Sequence, residues 1–374
     1  MKQVTVCFVI PTRDRGGDLA RTLTAIGRLD VSHGLSAEVL VIDNGSEAPA
    51  LVPGSLANGI PVQLECLAFN EGTGARNRVI GATDADWILM LDDDSFPVDA
   101  GFVDALREAD DGVSAISADI HLPATGTREM GGLPEVFVGC GVAVRREAFE
   151  SLGGYDASFG YYAEEYDLAA RILLDGGSVR FDSRFRVDHM KSVVGRDLNV
   201  ILERLVRNNG WVMQRYAPDD VRREQLREIR HRCRTIASRE NARAGFSRGL
   251  KDLRRTIGAQ QRHAMNPVLF DRFTGLAAAR AAISEAHAEQ SFDTACIVDS
   301  GKNAWCVVES LRSCGVRMVD TRDADVLVIG TMSPGPMIDA AERWASVHEN
   351  RPVIAPWLEL SRSARESSGM PQLR

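Results

Sequence analysis

The sequence predicts an α/β protein built on a mostly parallel sheet, and three observations point there. From residue 3 to about 190, short runs rich in Val and Ile alternate with longer stretches of helical period. The runs are almost uniformly apolar rather than alternating, as in strands covered by helices on both faces. Several of them end in polar turn residues, which places ligand-binding groups at the carboxyl edge of an open parallel sheet.

Taken in order, the predicted strands are VTVCFVI (4–10), AEVLVID (37–43), VQLECLA (62–68), WILMLD (87–92), VSAISADI (113–120) and CGVAVR (140–145). Helices are expected over about 17–29, 73–83, 100–110, 146–152 and 163–176, the last closed by Gly176-Gly177. Beyond 196 the texture changes to a long helix, LNVILERLVRNNGWVMQRYA, and then to arginine-rich segments. Arg222, Arg223, Arg227, Arg230, Arg232, Arg234, Arg239, Arg243, Arg248, Arg254 and Arg255 crowd into 220–260, interleaved with Glu224, Glu228 and Glu240. Such a stretch reads as a solvated helical face, or as one that meets an anionic membrane surface or a charged acceptor. From about 291 the α/β pattern returns through TACIVD, NAWCVVESLRSCG, VRMVD, DVLVIGT, IDAAERWASVHEN and PVIAPW, the pattern of a small Rossmann-like unit. Its first turn, Asp299-Ser300-Gly301-Lys302-Asn303, lacks the G-x-G-x-x-G spacing that brings a pyrophosphate to the backbone. The predicted division is therefore 1–215, a helical extension 216–288, and a C-terminal α/β unit 289–374.

Composition narrows the partners. In 374 residues the hydrophobic fraction is 44% and the charged fraction 26%, ordinary for a soluble domain, and the net charge of −8 argues against a nucleic-acid partner. Seven scattered cysteines without a C-x-x-C pair disfavour a disulfide framework and a structural zinc site. The N-terminal VTVCFVIP is too short for a signal segment and no window approaches eighteen apolar residues, so a cytoplasmic protein is expected. With the arginine-rich helices it is also expected to touch the inner membrane face peripherally.

Five further motifs carry chemistry. IPTRDR (10–15) and VIDNGS (41–46) close two strands, so that Thr12, Arg13 and Asp43 line one cleft, with Asp43 suited to a base imide or ribose hydroxyl. NEGTGARNRVIGA (70–82) sets Gly72 and Gly74 before Arg76 and Asn77 at a helix start, where glycines permit close approach and the arginine stabilises a diphosphate. WILMLDDDSFP (87–97) delivers Asp92, Asp93 and Asp94 into a turn, and three adjacent carboxylates call for a cation or several donors, although Asp is also an ordinary turn residue. Last, GGYDASFGYYAEEYDLAAR (153–171) starts a helix with Glu164, Glu165 and Asp167, of which Asp167 can pair with Arg171 at i+4.

In order and interval, IPTRDR, VIDNGS, NEGTGARN, LDDDS, the GGYD turn and the EEYDLAAR helix resemble the motifs of family-2 glycosyltransferases of the GT-A fold, over about residues 3–215. The later VRNN (206–209) is similar to a further family feature. The resemblance implies a UDP- or dTDP-linked sugar donor, a hydroxyl of a glycan, polysaccharide or glycolipid as acceptor, and an inverting, metal-dependent transfer. It implies that Asp92 and Asp94 correspond to the D-x-D acids, with His189 near the metal, and that Mn²⁺ or Mg²⁺ is the cation. By the same resemblance, Pro11, Thr12, Arg13, Asp43, Asn70, Gly72, Arg76, Asp92 and Asp93 face the donor. The acceptor's proton is taken in that family by the acid of a Glu-Asp pair; here Glu165 stands where the aspartate would, with Glu164 as second candidate. The additional methylene moves the carboxylate by about an ångström, a shift to which positioned catalysis is sensitive. Two other readings are kept: a nucleotidyltransferase that makes nucleotide sugars, though PTRDRGGD lacks a glycine-rich, lysine-bearing nucleotide loop, and a degenerate sugar-binding scaffold. The C-terminal unit can serve as a homo-oligomer interface, an acceptor platform or a second binding site.

Overall fold

The structure is a computed structural model that describes residues 3–32, 34–191, 197–347 and 351–357. The end of the predicted 338–350 helix and residues 358–374 of the predicted C-terminal unit lie outside the described residues.

The first part runs β1 (Val4–Thr12), α1 (Gly16–Ile26), β2 (Leu35–Asp43), β3 (Val62–Cys66), β4 (Trp87–Leu91), β5 (Ser95–Pro97), α2 (Gly101–Arg107), β6 (Val113–Leu122), β7 (Thr127–Arg128), β8 (Gly141–Arg145), α3 (Arg146–Ser151), α4 (Glu164–Leu174) and β9 (Ser178–His189). Its sheet has the order β3-β2-β1-β4-β8-β6-β9-β5, with β7 beside β6. Strands β3, β2, β1 and β4 are parallel, and β4 is buried along its whole length. Helix α1 covers one face of this half with Leu19, Thr22, Leu23 and Ile26, the spacing of a single helical stripe.

Beyond β4 the sheet is mixed, which departs from the mostly parallel pattern expected. Strand β8 runs antiparallel to both β4 and β6. The link from β7 to β8 is the non-helical segment 129–140, and without a crossover helix the strand enters from the opposite end. Strand β9 is an addition to the predicted set. It lies parallel to β6, with a register jump between Ala118 and Asp119, and antiparallel to β5. The predicted helix at 73–83 is instead a tight 3₁₀ segment, Gly72–Val79. Its winding is enforced at Gly72, whose φ is +63° and where a Cβ would stand 2.5 Å from the Gly160 carbonyl oxygen.

The chain continues through α5 (Leu198–Tyr216), α6 (Arg222–Arg239), α7 (Arg243–Thr256), α8 (Pro267–Thr274) and α9 (Leu276–Glu289). It ends in β10 (Thr294–Val298), α10 (Ala304–Ser313), β11 (Arg317–Met318), β12 (Val326–Ile329), α11 (Pro334–Val347) and β13 (Val353–Ile354). The last four strands form a separate parallel sheet of order β11-β10-β12-β13. One continuous apolar core joins Val142 and Leu168 of the first part, Val206 and Phe273 of the helices, and Val328 and Ile354 of the last sheet. No described helix is long and apolar enough to cross a membrane. The seven cysteines are free thiols.

Candidate active site

The carboxyl ends of β1, β2 and β4 bring IPTRDR, VIDNGS and LDDDS to one edge. Asp43 is buried and accepts from the Ser46 N–H at 2.9 Å and the Ala50 N–H at 2.7 Å, so it organises the loop after β2. Burial would raise its carboxyl; the Ser46 hydroxyl and these two N–H groups outweigh that and lower it. Pro11 is partly buried in β1. Arg13 is exposed and reaches the Gly45 carbonyl at 3.2 Å. Asn70 caps the turn at Gly72 with Oδ1, which also accepts from the Tyr161 hydroxyl at 3.1 Å.

The three aspartates diverge. Asp93 points inward, accepting from the Thr12 hydroxyl at 2.8 Å and from Arg15 at 2.6 Å. Burial pushes its carboxyl up to about 7. Asp94 accepts from Arg15 Nη2 at 2.6 Å and stands 3.2 Å from His189 Nε2. Burial again opposes its charge, but His189 and Arg15 outweigh it and hold Asp94 well below the usual range. Asp92 has a side chain 42% exposed and meets Arg76 at 2.5 Å. Arg76 is buried, donates also to the Leu91 carbonyl at 3.0 Å, and leaves its Nε without a partner.

His189 ends β9 and is a hub that pattern reading only partly found. Its Nδ1 lies 2.9 Å from Glu129 and 3.5 Å from Cys140 Sγ. Burial disfavours the imidazolium, yet the flanking carboxylates Asp94 and Glu129 hold it above the ordinary histidine range. Ligand atoms of Asp92, Cys140 and His189 all lie within 4.8 Å of one another. The Cys140 thiol is itself pushed up by burial, so it stays protonated and is a poor ligand. Asp92 and Asp94 offer carboxylate oxygens, which fit a hard divalent cation, whereas His189, held as an imidazolium between Asp94 and Glu129, would have to release a proton to join them.

Within electrostatic range of Arg76 and Asp92, α4 begins with Glu164 and Glu165. The two residues before it, Tyr162 and Ala163, have φ of 73° and 67°, unusual outside glycine. They are held there by the fully buried Asn208 of the VRNN segment, whose amide donates to the carbonyls of Phe159, Tyr161 and Tyr162 at 3.1, 2.9 and 2.7 Å. Glu164 is buried, and its Oε2 has no hydrogen-bond partner. Glu165 is only partly buried and lies against Gly139, where a Cβ would be 3.2 Å from its Oε1. Burial raises both carboxyls, and mutual repulsion raises Glu164 further. Asp167 is structural, as its spacing suggested: it accepts from Arg171 at 2.9 Å, Arg215 at 2.8 Å and Tyr216 at 2.6 Å.

Residues 7–135 match the family model Glycosyl transferase family 2, and the match contains β1 from Cys7 onward, the 72–79 turn and the three aspartates. No curated protein matches the sequence. Among solved structures, the mannosyltransferase PcManGT from Pyrobaculum calidifontis, in complex with GDP-Man and Mn²⁺, is similar at 15% identity and TM-score 0.47, covering 84% of this chain and 88% of that one. S. aureus TarS 1-349 is similar at 13% identity and TM-score 0.49, covering 84% and 90%. GalNAc-T7 with UDP, GalNAc and Mn²⁺ is similar at 17% identity and TM-score 0.44, covering 57% of this chain and 51% of that one, so the match spans about half of that relative. Likenesses this distant assign no substrate and no residue role. Within the matched segment, motif reading missed Glu129, the partner of His189, and Arg15. Arg15 lies inside IPTRDR but pairs with aspartates 78 and 79 positions away, a partnership with no local signal.

Proposed function

We propose that the protein is a metal-dependent inverting glycosyltransferase that moves a hexose from a UDP- or dTDP-linked donor to a hydroxyl of a glycan, polysaccharide or glycolipid. The observation that carries the reading is the nearness of two groups: the Asp92–Arg76–His189–Asp94 cluster at the sheet edge, and the Glu164–Glu165 pair at the start of α4, whose charge bears on Arg76 and Asp92.

Asp92, Asp94 and His189 would hold Mn²⁺ or Mg²⁺, which as a Lewis acid would offset the charge gathering on the departing diphosphate. Arg76 adds a fixed positive group beside that position, and Arg15 keeps Asp94 oriented through a 2.6 Å ion pair. Thr12 and Asp43, each fixed by buried hydrogen bonds, shape the nucleotide side of the cleft. On the acceptor side, Glu165 takes the hydroxyl proton as oxygen attacks the anomeric carbon from the face opposite the leaving group. Its partial exposure favours it over Glu164, whose carboxylate is shut in. A raised carboxyl suits this task, because the ideal base sits close to working pH.

The test is nucleoside diphosphate release from a panel of nucleotide sugars with and without Mn²⁺. Metal-dependent release supports the reading. Pyrophosphate release would instead identify a nucleotidyltransferase, and silence across the panel together with no binding of UDP or dTDP by calorimetry would identify a scaffold.

A further inference from the structure

We propose that Lys302, carried on the first turn of the C-terminal sheet, is a positioning residue for Glu165, so that the C-terminal unit completes the active site. The proposal rests on the reading of Glu165 as the base that receives the acceptor's proton.

The geometry begins with a turn that is fixed at both ends. Asp299 and Asn303 have φ of 49° and 54°. Asp299 accepts from Arg343 and from the Trp344 indole, each at 2.5 Å, while the Asn303 amide donates to the Thr274 carbonyl at 2.8 Å. The Lys302 carbonyl accepts from the Met332 N–H at 2.9 Å. Between these anchors the Lys302 side chain leaves its own unit and crosses to α4, where its Nζ stands 4.1 Å from the centroid of the Tyr166 ring. Tyr166 follows Glu165 directly, and its hydroxyl donates to the Gly132 carbonyl at 3.3 Å, which fixes the ring under the ammonium.

The same region is clamped from outside. Arg128 reaches Asp339 at 2.7 Å and Glu342 at 3.2 Å on α11, and Ser333 binds the Gly131 carbonyl at 2.5 Å. Residues 129–139 are thereby held between the C-terminal unit on one side and His189 and Glu165 on the other, through Glu129 and Gly139.

The charges explain what an ammonium does here. The groups that bear on Glu165 are Glu164 beside it, the backbone N–H groups of Glu165 and Gly139, Arg76 from the metal side, the Tyr155 hydroxyl, and Lys302. Burial and Glu164 favour the neutral acid, whereas a base must start ionised. Arg76 is tied to Asp92 and to the Leu91 carbonyl. Among the described residues Lys302 makes no ion pair of its own, so its field falls on Glu165. Burial pulls the ammonium down to about 8, which leaves it charged at neutral pH.

The experiment compares wild type, Lys302→Met and Lys302→Arg, with Lys251→Met on α7 as control, using the nucleotide sugar that gives release in the panel above. Removing the cation raises the Glu165 carboxyl, so in Lys302→Met the acidic limb of the kcat profile moves to higher pH and kcat at pH 7 falls about tenfold. Donor KM and the melting temperature stay close to wild type, Lys302→Arg recovers most of kcat, and Lys251→Met is unchanged. Unchanged kcat and an unmoved acidic limb in Lys302→Met overturn the proposal. So does a kcat loss that follows a lowered melting temperature and is not recovered by arginine, which makes Lys302 a packing residue. If wild type itself releases no nucleoside diphosphate from any donor, the glycosyltransferase reading fails first, and a silent wild type is distinguishable from an active wild type with an indifferent Lys302→Met.

Discussion

Asp43 shows how a residue at a family position is also a piece of local structure. Both carboxylate oxygens are engaged by the loop after β2, and the folded carboxyl is lowered. A lowered carboxyl contributes stability that is present above the ordinary aspartate value and is lost as pH falls through the folded one. Asp43→Asn should therefore destabilise the protein at pH 7 by about 1–3 kcal/mol, and the gap to wild type should close in denaturant melts as pH is lowered below 4. Asp92 is a cleaner probe of the metal than its neighbours, since Asp93 and Asp94 are buried supports of Thr12, Arg15 and His189. Asp92→Asn keeps an oxygen for Arg76 and removes the charge. Calorimetry with UDP and Mn²⁺ should show binding abolished while the melting temperature is retained; binding at wild-type strength would remove Asp92 from the metal site. The triplet was legible in the sequence as a cluster. Which of the three carboxylates faces the cleft was not, because that depends on Arg15 and His189, which arrive from other elements.

At the scale of elements, the strained start of α4 is the part most open to attack. Asn208 supplies one amide to three carbonyls of the 159–162 loop, and that loop sets the direction of Glu164 and Glu165. Asn208→Ala should lower stability by about 1–3 kcal/mol and lower kcat more than donor affinity, as read from urea melts and steady-state kinetics. Equal losses in kcat and donor binding would show the clamp acting on the whole cleft instead. Strands β1 to β4 were legible because WILML and VTVCFVI are unbroken apolar runs. Strand β9 was not, since SVRFDSRFRVDH carries a charge at nearly every second position and is interrupted by a bulge opposite Ala118. The 72–79 segment carried the right residues in the wrong helix type, because its winding is dictated by contact with Gly160, far along the chain.

For the molecule as a whole, the three stretches told apart in the sequence share one apolar core. Arg128 and Ser333 fasten the C-terminal sheet to the segment that lines the cleft. The turn at 299–303, which lacks the spacing of a dinucleotide loop, instead aims a lysine at the neighbouring domain. That use was invisible to pattern reading, as both partners lie more than a hundred residues apart. The central claim is that a metal-anchored donor and a glutamate base face each other across this cleft. It is tested most directly by Glu165→Gln in the full chain, measuring UDP binding with Mn²⁺ by calorimetry alongside nucleoside diphosphate release from the active donor. The account predicts binding within about twofold of wild type and release reduced at least a hundredfold, roughly the contribution of one general base. Full release by Glu165→Gln would contradict it.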